Sequence, residues 1–347
     1  MRIHAALATL LCLSGGATSA VSAQESVSAF YKGRTMTILA GSSAGGGVDV
    51  YARLVGRHLG KHIPGNPNII VQNMPGAGSL AAARNLYAIA PKDGTQIGVV
   101  LSSALFDPLM SGQDLQAYDP RTFNYLGNAN ADTSVCVVRK DAPVQSYSDL
   151  AEKELVVGGT GPGSALVDYP VMERYLLGSK LKLISGYKGS NEISIAIERN
   201  EVQGICGLLW SSAKQQYPQA LRPDGNVRIL VQEDTKSHPA LASLKAPLVT
   251  AFAKTPEQKR ALEVFLEQGS ISRPFMAPPG VPADRVAALR KAFMETMGDP
   301  ELLAEASKQG LDTVPNTGDE VQALVNSVYG TPPELIATLR KATEGVH

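Results

Sequence analysis

Short apolar runs alternate with stretches of helical period along this chain, which confines it to α/β units built around mainly parallel sheets. Met36 to Ala40, Asn68 to Val71 and Ile97 to Leu101 are the first three predicted strands. Val48, Tyr51, Ala52, Val55 and Leu59 recur at helical spacing between the first two, and another helix is predicted from about Leu80 to Ala90. Gly65-Asn66-Pro67 and Pro91-Lys92-Asp93-Gly94 stop these helices. From Asn124 to Val138 the pattern becomes long and extended, and a new series follows. Its strands are Leu155 to Val157, Leu181 to Ile184, Gly204 to Leu209 and Val227 to Val231, with helices at Ala165 to Leu177 and about Glu192 to Arg199. The last third reads as helical. With 347 residues the chain can fill two ordinary cores. The expected division is a leader at 1–23, one lobe from 24–130 and 241–347, and a second lobe from 131–240.

The expectation of a leader rests on Arg2, the apolar stretch Ala5 to Leu13, and the small residues ending at Val21-Ser22-Ala23. That is the pattern of a secretory signal peptide cleaved after Ala23, and its apolar run is too short to span a bilayer. The expected location is therefore periplasmic. Export leaves Cys136 and Cys206, for which a disulfide and two buried thiols are both open. The five histidines form no set with cysteine at metal-ligand spacing, so no metal site is expected, and His58 and His62 read as a surface pair on a helix. Lys plus Arg and Asp plus Glu are both 32, so no net field draws the molecule to nucleic acid.

Two loops carry the chemistry. Gly41-Ser42-Ser43-Ala44-Gly45-Gly46-Gly47-Val48-Asp49 and Gly158-Gly159-Thr160-Gly161-Pro162-Gly163-Ser164 each follow a predicted strand and open a helix, one in each lobe. Such loops expose backbone N–H groups at the positive end of a helix dipole, and glycine lets an anion approach them. An acid in the first helical turn, as at Asp49, also stabilises a helix without any ligand. Gly76-Ala77-Gly78-Ser79-Leu80-Ala81 fits a dinucleotide fingerprint. However, it lies on the second strand unit, Pro75 stiffens its entry, and the next acid, Asp93, sits in a turn. A dinucleotide-dependent oxidoreductase is the weaker alternative. No loop ends in Gly-Lys-Ser/Thr, Gly161-Pro162-Gly163-Ser164 lacks the G-x-S-x-G elbow and no histidine stands in an obvious triad context, so no catalytic residue and no cofactor are expected.

In this order, several segments together resemble the receptor subunits of tripartite tricarboxylate transporters, the Bug family of extracytoplasmic solute-binding proteins. They are Gly45-Gly46 with Asp49, Gln72-Asn73-Met74-Pro75-Gly76-Ala77-Gly78, Pro91-Lys92-Asp93-Gly94-Thr95, Gly161-Pro162-Gly163-Ser164, Gly186-Tyr187-Lys188-Gly189 and Ala277-Pro278-Pro279-Gly280-Val281-Pro282. The resemblance implies a type II periplasmic-binding-protein-like fold, two lobes with a ligand cleft between them, and a small organic carboxylate clasped by the loops after the first strand of each lobe. It carries the ligand contacts onto Ser43, Ala44, Gly45, Gly46, Gly47, Asp49, Thr160, Gly161, Gly163 and Ser164, with Gly76, Ser102 and Tyr187 lining the cleft. The partners it implies are the membrane permease subunits of a transporter or, for a sensing adaptor, a histidine kinase; the protein itself is expected to be monomeric. Ser43-Ala44, Leu166-Val167-Asp168 and Ser190-Asn191-Glu192 depart from the family's usual residues, so the identity of the acid does not carry over.

Overall fold

The computed structural model describes residues 26–112, 115–161, 163–218, 222 and 224–343; the expected leader and its cleavage position near Ala23 lie outside them, as does Pro162. The strands are β1 (Thr35–Ala40), β2 (Asn68–Asn73), β3 (Gln96–Val99), β4 (Asn124–Asn128), β5 (Ser134–Arg139), β6 (Leu155–Gly158), β7 (Leu181–Ile184), β8 (Gly204–Leu209), β9 (Val227–Glu233), β10 (Pro274–Ala277) and β11 (Asn316–Thr317). They form two sheets, ordered β11-β4-β10-β3-β1-β2 and β7-β6-β8-β5-β9. The two-lobed architecture is the expected one. The pairing is mixed, not mainly parallel: β1 runs parallel to β2 and β3, and β6 parallel to β7 and β8, but β10, β11 and β5 all pair antiparallel. The antiparallel members are the strands that carry the chain from one lobe into the other, or that return to the first sheet. Their direction is set by that route and not by a βαβ crossover.

The helix Gly47–Leu59 crosses from β1 to β2 and buries Val48, Tyr51, Ala52, Val55 and Leu59 against the first sheet, the face predicted from their spacing. The helix Leu80–Ala88 and the helix Ser102–Ser111 cover the opposite face, with Leu86, Ala104 and Phe106 buried. In the second lobe, Ala165–Leu177 lies on one face of the sheet and Ser190–Glu198 on the other. A fully buried Leu or Phe in these layers contributes roughly 1.5–3 kcal/mol. Val249, Leu262, Phe265, Ile336 and Leu339 pack into the second sheet's core, although they fall in the 241–347 stretch assigned to the first lobe. An amphipathic helix such as Pro256–Leu266 does not encode which of two sheets it covers.

Two of the segments that cross between the lobes are hydrogen-bonded to each other. Ala129 N–H donates to the Arg273 carbonyl at 3.1 Å, Asp132 N–H to the Gly269 carbonyl at 3.3 Å, and Ser272 Oγ to the Asn130 carbonyl at 2.7 Å. Asn128 Oδ1 accepts from the Arg273 N–H at 2.8 Å. Cys136 on β5 and Cys206 on β8 are joined as a disulfide. Among the described residues no helix is long and apolar enough to cross a membrane.

Candidate functional site

In both lobes the loops that follow the parallel strands gather at the carboxyl ends of those strands, the edge where open α/β sheets bind ligands. In the first lobe three of them are stapled together. Ser79 Oγ donates to the Gly41 carbonyl at 2.7 Å and accepts from the Leu101 N–H at 3.1 Å, tying the ends of β1, β2 and β3 into one unit. A Cβ on Gly41 would stand 2.7 Å from the Ser79 side chain, so glycine is needed for this approach. The turn itself is tightly coiled: Gly76, Ala77, Gly78 and Ser79 all have positive φ.

Asp49 is engaged by its own loop and by its neighbours. It is 2% exposed, its Oδ2 accepts from the Gly45 N–H at 2.8 Å and Arg53 Nε at 3.0 Å, and its Oδ1 accepts from Asn73 Nδ2 at 2.8 Å. Burial pulls its pKa up, but these donors outweigh that pull and hold the carboxyl below its usual range. Asn73 Nδ2 also donates to the Ser42 carbonyl at 3.0 Å, and Ser42 Oγ accepts from the Asp49 N–H at 3.1 Å. With the side chains so occupied, Ser43, Ala44 and Gly45 project outward, Gly46 and Gly47 are half-buried, and the Gly47 N–H has no partner among the described residues.

In the second lobe Thr160 Oγ1 and Ser164 Oγ are hydrogen-bonded at 2.5 Å across the loop, and Ser164 precedes the first turn of the helix Ala165–Leu177. Gly159 N–H donates to the Ile184 carbonyl at 2.8 Å and Gly186 N–H to the Thr160 carbonyl at 3.0 Å, so the loop after β7 braces the loop after β6. Gly161 is exposed, and the half-buried Tyr187 packs against the second core. The two lobes meet here: a Cβ on Gly78 would stand 2.3 Å from the Gly163 carbonyl oxygen. Gly76 borders this contact, and Ser102 heads the helix Ser102–Ser111 beside it. The structure thus brings the second-lobe loop against the Pro75–Ser79 turn. Gly47 of the first-lobe loop faces other groups, Arg273 and Ser212.

Behind the second-lobe loop, Asp168 has an oxygen shut off from solvent without a partner. Burial, then the nearby charge of Asp107, pushes its carboxyl up to about 8. An aspartate in the unfolded chain ionises near pH ~4, so between these values the native state binds more protons and stability falls as pH rises. Asp168→Asn is expected to flatten the melting temperature between about pH 5 and 8, and to raise it at pH 8 by about 2–4 °C, the equivalent of about one kcal/mol. An unchanged pH profile would show that Asp168 is ionised in the native protein.

The His58 and His62 pair docks onto the helix Pro300–Lys308. His58 Nε2 lies 2.8 Å from Glu305 and His62 Nε2 lies 2.9 Å from Asp299. His58, Asp299 and Glu301 could converge on a cation, but Lys61 Nζ already bridges Asp299 and Glu301 at 2.6 Å each.

Asn73 and Ser79 stand inside motifs visible in the sequence, but their positioning roles depend on partners distant in the chain. Ser212 and Arg273 reach the site only through the fold and leave no local signal.

No protein-family model matches the chain. A curated protein of Cupriavidus necator, the UPF0065 protein in the gbd 5′ region, is 25% identical over 286 residues, 79% of this chain and 78% of its own. The structure of the periplasmic binding protein BugD superposes with a TM-score of 0.68 at 22% identity, covering 91% of this chain and 99% of BugD. MatC from Rhodopseudomonas palustris with bound malate superposes with a TM-score of 0.64 at 22% identity, covering 90% of this chain and 99% of MatC.

Proposed function

We infer that this chain is an extracytoplasmic solute-binding protein of the Bug type, which captures a small organic carboxylate in its cleft and presents it to the membrane subunits of a tripartite transporter. The observation that carries this reading is that the lobes meet through loops at the carboxyl ends of their strands, Gly163 of the second lobe against Gly78 of the first, with the glycine-rich start of the helix Gly47–Leu59 beside Ser212 of the second lobe. The Gly47 N–H, and Thr160, Gly161 and Ser164 of the second-lobe loop, are the proposed anion contacts, since the Gly45 and Gly46 N–H groups are taken by Asp49 and the Ser43 carbonyl; Gly76, Ser102 and Tyr187 are the proposed lining. The malate held by MatC, a protein of the same fold, supports the ligand class, and BugD supports a periplasmic location after loss of residues 1–23. BugD, a periplasmic binding protein, and MatC, solved with malate, support binding over catalysis.

A ligand that binds only the native state stabilises it by about 2.7 kcal/mol at a hundredfold excess over Kd. At about 2–4 °C per kcal/mol, the correct acid should raise the melting temperature by several degrees. A screen of mono-, di- and tricarboxylates is expected to give a few hits, and the fully amidated form of each hit should lose the shift with its charge-assisted hydrogen bonds. A neutral amide that shifts the protein as far as its parent acid would overturn the anion clasp.

A further inference from the structure

Arg273 lies on the crossing segment that leads into β10. It is 1% exposed, yet it belongs to no ion pair among the described residues. Its Nη1 donates to the Ser272 carbonyl at 2.8 Å, and its Nε has no partner. The guanidinium is pressed against the first residue of the helix Gly47–Leu59: a Cβ on Gly47 would stand 2.7 Å from Nη2 and 3.5 Å from Ser212 Oγ of the second lobe. The Tyr51 ring, one turn along that helix, has its centroid 5.3 Å from Cζ. Asp132 is the acid whose field reaches Arg273, but its carboxylate accepts from the Ser211 N–H and hydroxyl, and burial pushes it toward the neutral form.

A buried cation without a counter-charge is costly. This one also faces the positive end of a helix dipole, where the Gly47 N–H is unpaired. Both costs turn into attractions once a carboxylate beside them accepts from the guanidinium and from the helix start. We propose that Arg273, the first turn of the helix Gly47–Leu59 and Ser212 form a second anion site at the cleft floor, which makes the ligand a diacid. The second-lobe loop meets the Pro75–Ser79 turn instead, so an acidic group held there leaves this position for another. The inference rests on the carboxylate-binding function proposed above and adds to it a specificity-determining side chain.

The test is isothermal titration with whichever of succinate, glutarate or adipate most raises the melting temperature of the wild type, and with its half-amide. The wild type should prefer the diacid by about tenfold or more, and Arg273→Gln should lose that preference while Arg273→Lys keeps part of it. A Gln variant that binds the diacid as tightly as wild type overturns the inference and leaves the carboxylate reading standing. If none of the wider set of mono-, di- and tricarboxylates shifts the wild type, that reading falls first and this inference with it. If Arg273→Gln does not fold, a crystal structure of the wild type with the diacid decides. A carboxylate oxygen hydrogen-bonded to Arg273 supports the site, and an acid bound in the cleft without touching it overturns the site.

Discussion

Gly78→Ala is expected to weaken ligand binding about a hundredfold, the equivalent of about 2.7 kcal/mol, while leaving both lobes folded. The added methyl would stand 2.3 Å from the Gly163 carbonyl oxygen and 3.0 Å from its carbon, so the clash is with backbone of the opposite lobe and no side chain can swing aside. Relief comes only from holding the lobes apart, which removes the closed state a ligand needs. The φ of +57° at Gly78 adds backbone strain of about 1 kcal/mol, which acts on folding and not on closure. Gly33→Ala separates the two effects. Its φ is +72° and its Cβ would meet nothing within 4 Å, so it should lower the melting temperature slightly and leave affinity untouched. Titration calorimetry on both variants decides the matter; a Gly78→Ala protein that binds like wild type would mean that ligand is held with these two loops apart.

Replacing both Cys136 and Cys206 by serine should cost roughly 4 kcal/mol of stability, the chain-entropy value for a loop as long as this one. The bridge spans 70 residues, from β5 to β8 of the second sheet. At about 2–4 °C per kcal/mol the melting temperature should fall by roughly 8–16 °C, and reducing agent should produce the same fall in the wild type. Binding by the folded protein should change little, because the pair lies on the two strands behind the loops and not in them. Thiol titration of denatured, unreduced protein lacking residues 1–23 should find no free thiol. Two free thiols per chain would remove the basis of this expectation.

Where the strands and helices of the βαβ units lie was legible because their local patterns are strong. Ala165–Leu177, Leu181–Ile184 and Gly204–Leu209 fall where the sequence places them, and the helix Gly47–Leu59 buries the face its spacing predicts. The strands that escaped notice are those whose neighbours are distant in sequence. β10 is four residues beside a proline-rich turn, in the third of the chain expected to be helical, yet it sits between β3 and β4. The helix Ser102–Ser111 was hidden by Pro108 and by apolar residues around most of its circumference. At the site the glycine loops could be read because helix starts have a local grammar. Arg273 could not, because what makes it notable is the absence of a carboxylate partner, and only the folded arrangement reveals that.

The position of β10 also constrains the order in which the molecule can assemble as it is synthesised. The hydrogen bonds of the second sheet all fall between residues 134 and 233, one continuous stretch of chain. The first sheet is divided: β1, β2 and β3 pair early, but β4 has no partner until residues 274–277 arrive to join it to β3. Non-local closure of this kind is slow, and an unpaired strand edge is open to wrong partners while it waits. A chain cut short before residue 274 would therefore retain the complete pairing of one sheet and only two of the five pairings of the other, with β4 as its exposed liability.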